Sequence, residues 1–177
     1  MRRLDKTVVL VGMMGSGKSA VGRRLAQALG LPFRDADSEI EAAAGCSVNE
    51  IFSRFGEAGF RAGERKVVAR LLAEPPHVLA TGGGAFIDAE TRKRIKSGAI
   101  SVWLRADIEL LLARVTRKTT RPLLKDGDPR QVLETLMRER APIYAEADIT
   151  VESGEGAHDA VVKQIMAALE KRIGGAP

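Results

Sequence analysis

A single cysteine, Cys46, stands in this 177-residue chain, so no intrachain disulfide can form and a reducing compartment is expected. It follows Gly45 in an expected loop, with no His or Asp beside it, and reads as inert. Aromatic side chains are scarce: one Trp, one Tyr and five Phe offer little on which to stack the bases of a single strand. No apolar run approaches the ~18 residues that a membrane-spanning helix needs. The opening Met-Arg-Arg-Leu-Asp-Lys lacks the apolar stretch of a secretion signal. A soluble, cytoplasmic protein with no membrane partner is expected. Neither sign of charge dominates: 28 basic residues face 23 acidic ones, and the net charge of +5 suits anionic partners, either nucleic acid or small phosphates and carboxylates. The tightest basic run, Arg92, Lys93, Arg94 and Lys96, falls on an expected helix and reads as a solvated face.

The chain alternates short β-branched runs with helical patterns. Strands are expected at 7–11, 33–35, 77–80, 99–104 and 148–151. Helices are expected from Lys18 to the Gly30 stop, then over 37–44, 48–55, 57–72, 88–96, 107–115 and 129–145, with a last one carrying Val161, Ile165 and Leu169. Asp128 and Pro129 are a cap and first-turn pair. Such alternation predicts an α/β, three-layer fold, in which helices flank a five-stranded parallel sheet. No repeat or linker divides residues 1–177, which read as one domain. Residues 116–128 carry Arg117, Lys118, Arg121 and Lys125 with Gly127, and read as a basic, mobile lid.

Gly12-Met13-Met14-Gly15-Ser16-Gly17-Lys18-Ser19 matches the P-loop pattern G-x-x-x-x-G-K-[ST] in full, between a strand and a helix. Its glycines let backbone N–H groups turn inward toward phosphate oxygens, and the following helix adds its positive end. Lys18 can reach the β- and γ-phosphates of ATP, and the Ser19 hydroxyl can bind Mg²⁺. The motif alone means nucleotide binding and does not separate a kinase from a GTPase, a motor or an inactive module.

Asp35 and Asp37 lie about twenty residues further on, at the carboxyl end of the second expected strand, where open parallel sheets bind ligands. One acid near Mg²⁺ and one that accepts a proton from an attacking hydroxyl would divide the work of phosphoryl transfer. Asp37 could instead cap the next helix. The third strand runs into Thr81 and glycines where many nucleotide-binding proteins carry an acid, which makes Asp35 the better candidate for the metal shell. Arg61 can pair with Glu57 or Glu64 on its own helix, or fork onto a substrate carboxylate. Gly82, Gly83 and Gly84 leave room for a ligand against the backbone.

These pieces together resemble the shikimate kinase family. The resemblance rests on GMMGSGKS at 12–19, DAD at 35–37, Ile51-Phe52, the GExxFRxxE pattern at 56–64, ATGGG at 80–84, TRPLL at 120–124 and RxPxY at 140–144. It implies transfer of a phosphoryl group from ATP to shikimate with Mg²⁺, in the route to aromatic amino acids, by an enzyme expected to be monomeric. It also implies roles for individual residues. Lys18, Asp37 and Arg121 would be catalytic. Ser19 and Asp35 would hold Mg²⁺. The P-loop through Ala20, with Arg114, Arg117 and Arg121, would bind ATP. Asp37, Phe52, Phe60, Arg61, Gly82, Gly83, Gly84 and Arg140 would bind shikimate, mostly from a helical region at about 37–64. The stretch 152–156 should form the second adenine wall, but matches no pattern residue by residue. Two other readings stay open: a kinase of gluconate or a nucleoside monophosphate, and a nucleotide-binding or RNA-binding module, which would need no proton acceptor.

Overall fold

The computed structural model describes residues 4–117 and 127–175. Five strands, β1 Thr7–Val11, β2 Phe33–Asp35, β3 Val78–Ala80, β4 Ala99–Arg105 and β5 Ile149–Glu152, form one sheet in the order β2-β3-β1-β4-β5. Every pairing is parallel. β1 lies at the centre, and all five of its residues are buried, as its unbroken Thr-Val-Val-Leu-Val run requires of a strand covered on both faces.

Alternation along the strands divides the core. Val9, Val11, Leu79 and Trp103 face one layer, packed with Val68, Leu71, Phe86 and Leu133. Val8, Leu10, Val78 and Val102 face the other, where they meet Val21 and Leu25 of α1 Lys18–Leu29 and Ile165 and Leu169 of α7 His158–Gly174. The remaining described helices are α2 Ala36–Ala44, α3 Val48–Leu72, α4 Ala89–Gly98, α5 Ile108–Val115 and α6 Pro129–Tyr144. The expected break between 55 and 57 is a kink rather than a gap. Gly56 takes φ 68°, ψ −175° inside α3, a backbone open to glycine and strained for other residues. A short 3-10 turn, Ala85–Ile87, was not expected.

Helix starts follow polar caps. Ser47 accepts from Glu50 N at 3.2 Å, Asp88 from Thr91 N at 3.0 Å and Asp107 from Leu110 N at 2.9 Å. Asp128 caps α6 ahead of Pro129, as its sequence suggests. At α2 the cap is Asp35, which accepts from Ser38 N at 3.2 Å. The helix starts at Ala36, one residue before the expected boundary, so the capping alternative for Asp37 falls away and Asp37 sits in the first turn.

Register brings the functional ends together. Leu10 of β1 and Asp35 of β2 both align with Ala80 of β3. The P-loop, the acidic pair and the triglycine turn therefore leave the sheet at one level, on its carboxyl edge. β1 has β3 on one side and β4 on the other, so the chain's winding reverses there and a crevice opens.

Candidate active site

The crevice is a cavity of about 730 Å³. One end is the P-loop. Gly17 caps α1 at φ 92°, and Gly12 and Gly15 also take positive φ, which turns the backbone sharply enough to form a cradle. Met14, Gly15, Gly17, Lys18, Ser19 and Ala20 line the cavity, whereas Gly12, Met13 and Ser16 lie behind it. Met13 packs into the core and Ser16 is fully buried. Lys18 is 8% exposed, and its Nζ donates to the carbonyls of Gly12 and Met13, each at 2.8 Å.

Ser19 Oγ donates to Asp35 Oδ2 at 2.6 Å. A hydroxyl and a carboxylate thus meet at the foot of the P-loop. Hard oxygen donors of this kind suit Mg²⁺, which keeps most of its shell as water and phosphate oxygens. Among the described residues no group of three or more His, Cys, Asp or Glu side chains is placed to hold a metal ion.

The other end is built by α2, α3, α6 and the glycine turn. A methyl built on Gly82 would lie 3.1 Å from Asp37 Oδ1 and 3.3 Å from Glu64 Oε2, so two carboxylates converge on the place this glycine leaves open. Arg61 Nη1 donates to Glu64 Oε1 at 2.8 Å, and Glu57 lies 3.7 Å away on its exposed side. Both helical pairings considered for Arg61 therefore exist. Glu64 is 1% exposed, and burial raises its pKa, an effect that the Arg61 charge and hydrogen bond oppose. Its Oε2 has no hydrogen-bond partner among the described residues. Phe52 and Phe60 stack at 4.7 Å to wall this end, with Arg61 over the Phe60 ring. Arg140 is 8% exposed. Its buried Nη1 lacks a hydrogen-bond partner among the described residues and lies 3.3 Å from where a Gly83 methyl would stand. A buried guanidinium nitrogen left open costs free energy that an anion would offset.

Arg114 Nη1 donates to Gly15 O at 3.0 Å and Nη2 to Gly154 O at 3.3 Å, so it spans the P-loop and the loop after β5. Arg117 lines the cavity nearby. Arg121 and the central part of the expected lid, residues 118–126, lie outside the described residues.

Three contributors have no role assigned from the sequence, although Tyr144 closes the RxPxY pattern. His158, at the start of α7, faces Gly17 beside Arg114, its Cε1 3.5 Å from a methyl built there. Burial, then the Arg24 and Arg114 charges, push its pKa down, with Asp159 opposing. Ser153 Oγ donates to Ser16 O at 2.8 Å and pins the loop after β5 to the P-loop. Tyr144 donates its hydroxyl to Gly83 O. The first two contacts join segments about as far apart as the chain allows, and no local pattern announces them. The basic run on α4 is engaged with acids, as a solvated face should be: Lys96 and Arg92 meet Glu146, and Arg94 meets Glu90.

Comparison with known proteins agrees with this geometry. The family model described as shikimate kinase matches residues 14–170. A shikimate kinase of Caulobacter vibrioides is 61% identical over 94% of this chain and 83% of its own length. One from Paramagnetospirillum magneticum is 61% identical over 94% of this chain and 86% of its own. The structure of shikimate kinase from Acinetobacter baumannii in complex with shikimate superposes with a TM-score of 0.93 at 40% identity, over 96% of both chains. The chain belongs to the shikimate kinase family.

Proposed function

We propose that this chain is an ATP-dependent shikimate kinase, which moves the γ-phosphoryl group of ATP onto a shikimate hydroxyl and yields ADP and shikimate 3-phosphate on the route to chorismate and the aromatic amino acids. The observation that carries this reading is a single cavity lined by a P-loop lysine at one end and, at the other, by two carboxylates, two arginines and an open glycine turn.

The roles follow from position. P-loop N–H groups and the start of α1 receive the phosphates. Lys18 leaves the Gly12 and Met13 carbonyls and turns onto the β- and γ-oxygens. Ser19 and Asp35 would hold Mg²⁺, which when bound would supply positive charge against the phosphates. Arg114 and Arg117 flank the adenine. Arg61 and Arg140 take the shikimate carboxylate, with Phe52 and Phe60 against the ring. Gly82, Gly83 and Gly84 floor the acceptor site. Asp37 orients the acceptor hydroxyl and accepts its proton as the O–P bond forms. The segment 116–128 closes over the phosphates and brings Arg121 to the transferring group, excluding water that would otherwise take the phosphoryl. The helical region at about 37–64 carries the acceptor, and 1–177 works as one domain. The enzyme acts as a cytoplasmic monomer with no nucleic-acid partner. No described helix is long and apolar enough to cross a membrane.

The test is ADP release with MgATP and shikimate, set against gluconate, AMP and no acceptor. Shikimate-dependent release is expected, and Asp37→Asn should lower kcat by about 10²–10⁴. Turnover on gluconate or AMP instead of shikimate would overturn the assignment.

A further inference from the structure

Tyr144 is buried at 1% exposure behind the acceptor end of the cavity, and nothing proposed above uses it. Its ring lies on Trp103 with centroids 5.8 Å apart, and Trp103 in turn comes within 3.4 Å of the place where a Gly12 methyl would stand. Its hydroxyl donates to the carbonyl of Gly83. Burial raises the pKa of that hydroxyl, and the charge of Arg140, one turn earlier on α6, opposes the rise. The open Nη1 of the Arg140 guanidinium faces Gly83. The phenol hydroxyl and the guanidinium therefore meet at Gly83, in the floor of the acceptor site.

We infer that Tyr144 is a positioning residue for the acceptor, whose hydroxyl sets the Gly83 peptide and the Arg140 guanidinium in the one relative geometry that receives the acceptor carboxylate. The inference rests on the reading of Arg140 as a carboxylate partner.

Four points carry it. In a trans peptide the carbonyl and the following N–H point in opposite directions. Holding Gly83 O toward Tyr144 therefore holds the Gly84 N–H away from it, and adds to the Ala85 N–Gly82 O bond a second restraint on this glycine turn. The hydroxyl can donate to a carbonyl while its lone pairs face a guanidinium, a double role that neither Phe nor a phenolate can fill. Burial pushes the pKa of Tyr144 up to about 12 despite Arg140, so the group keeps its donor proton at any physiological pH. The ring is locked on Trp103 between core side chains, so the hydroxyl is a fixed point and not a swinging one.

Tyr144→Phe keeps the ring packing and removes only the hydroxyl. Steady-state kinetics on the full chain should show KM for shikimate raised about tenfold while KM for ATP holds and the melting temperature falls only by the about 2–4 °C of one lost hydrogen bond, because a misplaced charged hydrogen bond weakens binding by about that factor. A purely structural role would move both KM values and the melting temperature together. A second arm uses the acceptor analogue in which a hydroxymethyl group replaces the carboxylate. The wild type should prefer the acid, and Tyr144→Phe should lose about tenfold of that preference. In an Arg140→Lys background the Tyr144→Phe effect should nearly vanish, as it must if Tyr144 acts through Arg140. A wild type that prefers the acid, joined to a Tyr144→Phe variant with unchanged shikimate KM and unchanged preference, would overturn this inference alone. A wild type indifferent to the carboxylate would overturn the reading of Arg140 beneath it and this inference with it.

Discussion

Gly84→Ala isolates the position of one guanidinium. Gly84 has φ −97° and ψ −6°, a backbone that alanine adopts without strain, so the substitution acts only through its methyl group. That methyl overlaps the Arg61 guanidinium at Cζ and both terminal nitrogens. The obstacle is the far end of a flexible side chain, so the guanidinium swings aside and the backbone holds. In moving it leaves the 2.8 Å bond to Glu64 and the place where a carboxylate would meet it. A hydrogen bond to a charged group contributes about 1.5–3 kcal/mol. At about 1.4 kcal/mol per factor of ten, KM for shikimate should rise about tenfold to a hundredfold, with KM for ATP unchanged. The assay is coupled ADP release at saturating MgATP across a shikimate titration, with a thermal melt of the same preparation. An unchanged shikimate KM would refute the reasoning, since Arg61 would then have no fixed place to lose. A collapsed melting temperature would refute it differently, by showing that the methyl strikes the framework.

Asp35→Asn keeps a good cap for α2 but removes the charge facing Ser19, so the free Mg²⁺ needed for half-maximal rate should rise about tenfold or more. Asp88→Ala removes the cap on Thr91 N and the 2.7 Å pair with Arg65, and should lower stability by about 1–2 kcal/mol, read from the urea midpoint. The same residue sets a pH dependence. Arg65 holds the Asp88 carboxyl down at about 2, below its unfolded value of about 3.9, so its stabilisation is full above the unfolded value and fades as pH falls through about 2. The gap between wild type and Asp88→Ala should therefore narrow in strong acid, and a gap that persists there would assign the effect to packing. His158→Ala should raise KM for ATP about fivefold and leave shikimate untouched, because the lost ring stands beside Arg114 at the P-loop mouth.

The layered fold was legible because its signals are local. β1 and β4 are rich in β-branched and apolar residues, and Asp107, Asp128 and Gly30 punctuate their helices in their own neighbourhoods. The P-loop, the acidic pair and the glycine turn could be placed together because parallel strands send their carboxyl ends to one edge. Asp35 rather than Asp37 as the cap was not legible, since either carboxylate suits that role and only the exact helix start decides. Glu64 showed as a helical partner of Arg61, but its depth in the protein comes from packing of α3 against the glycine turn, which no spacing encodes. His158 and Tyr144 come from the last helix and the end of α6, and reach glycines in distant parts of the chain. Such meetings depend on how helices are rolled on the sheet, a property of the whole core and not of any window of sequence.

Three cations of the cavity already have occupation, unlike the open Nη1 of Arg140. Lys18 sits on two backbone carbonyls, Arg61 on Glu64 and Arg114 on two more carbonyls. A ligand that engages them trades places with these internal partners and does not quench bare charge. What is gained in each new contact is offset by the one surrendered, so the net pull on each ligand stays modest. The trade also runs backward: when a charged product loosens, the displaced carbonyls and carboxylate stand ready to reclaim their donors, which eases its departure and readies the crevice for the next cycle.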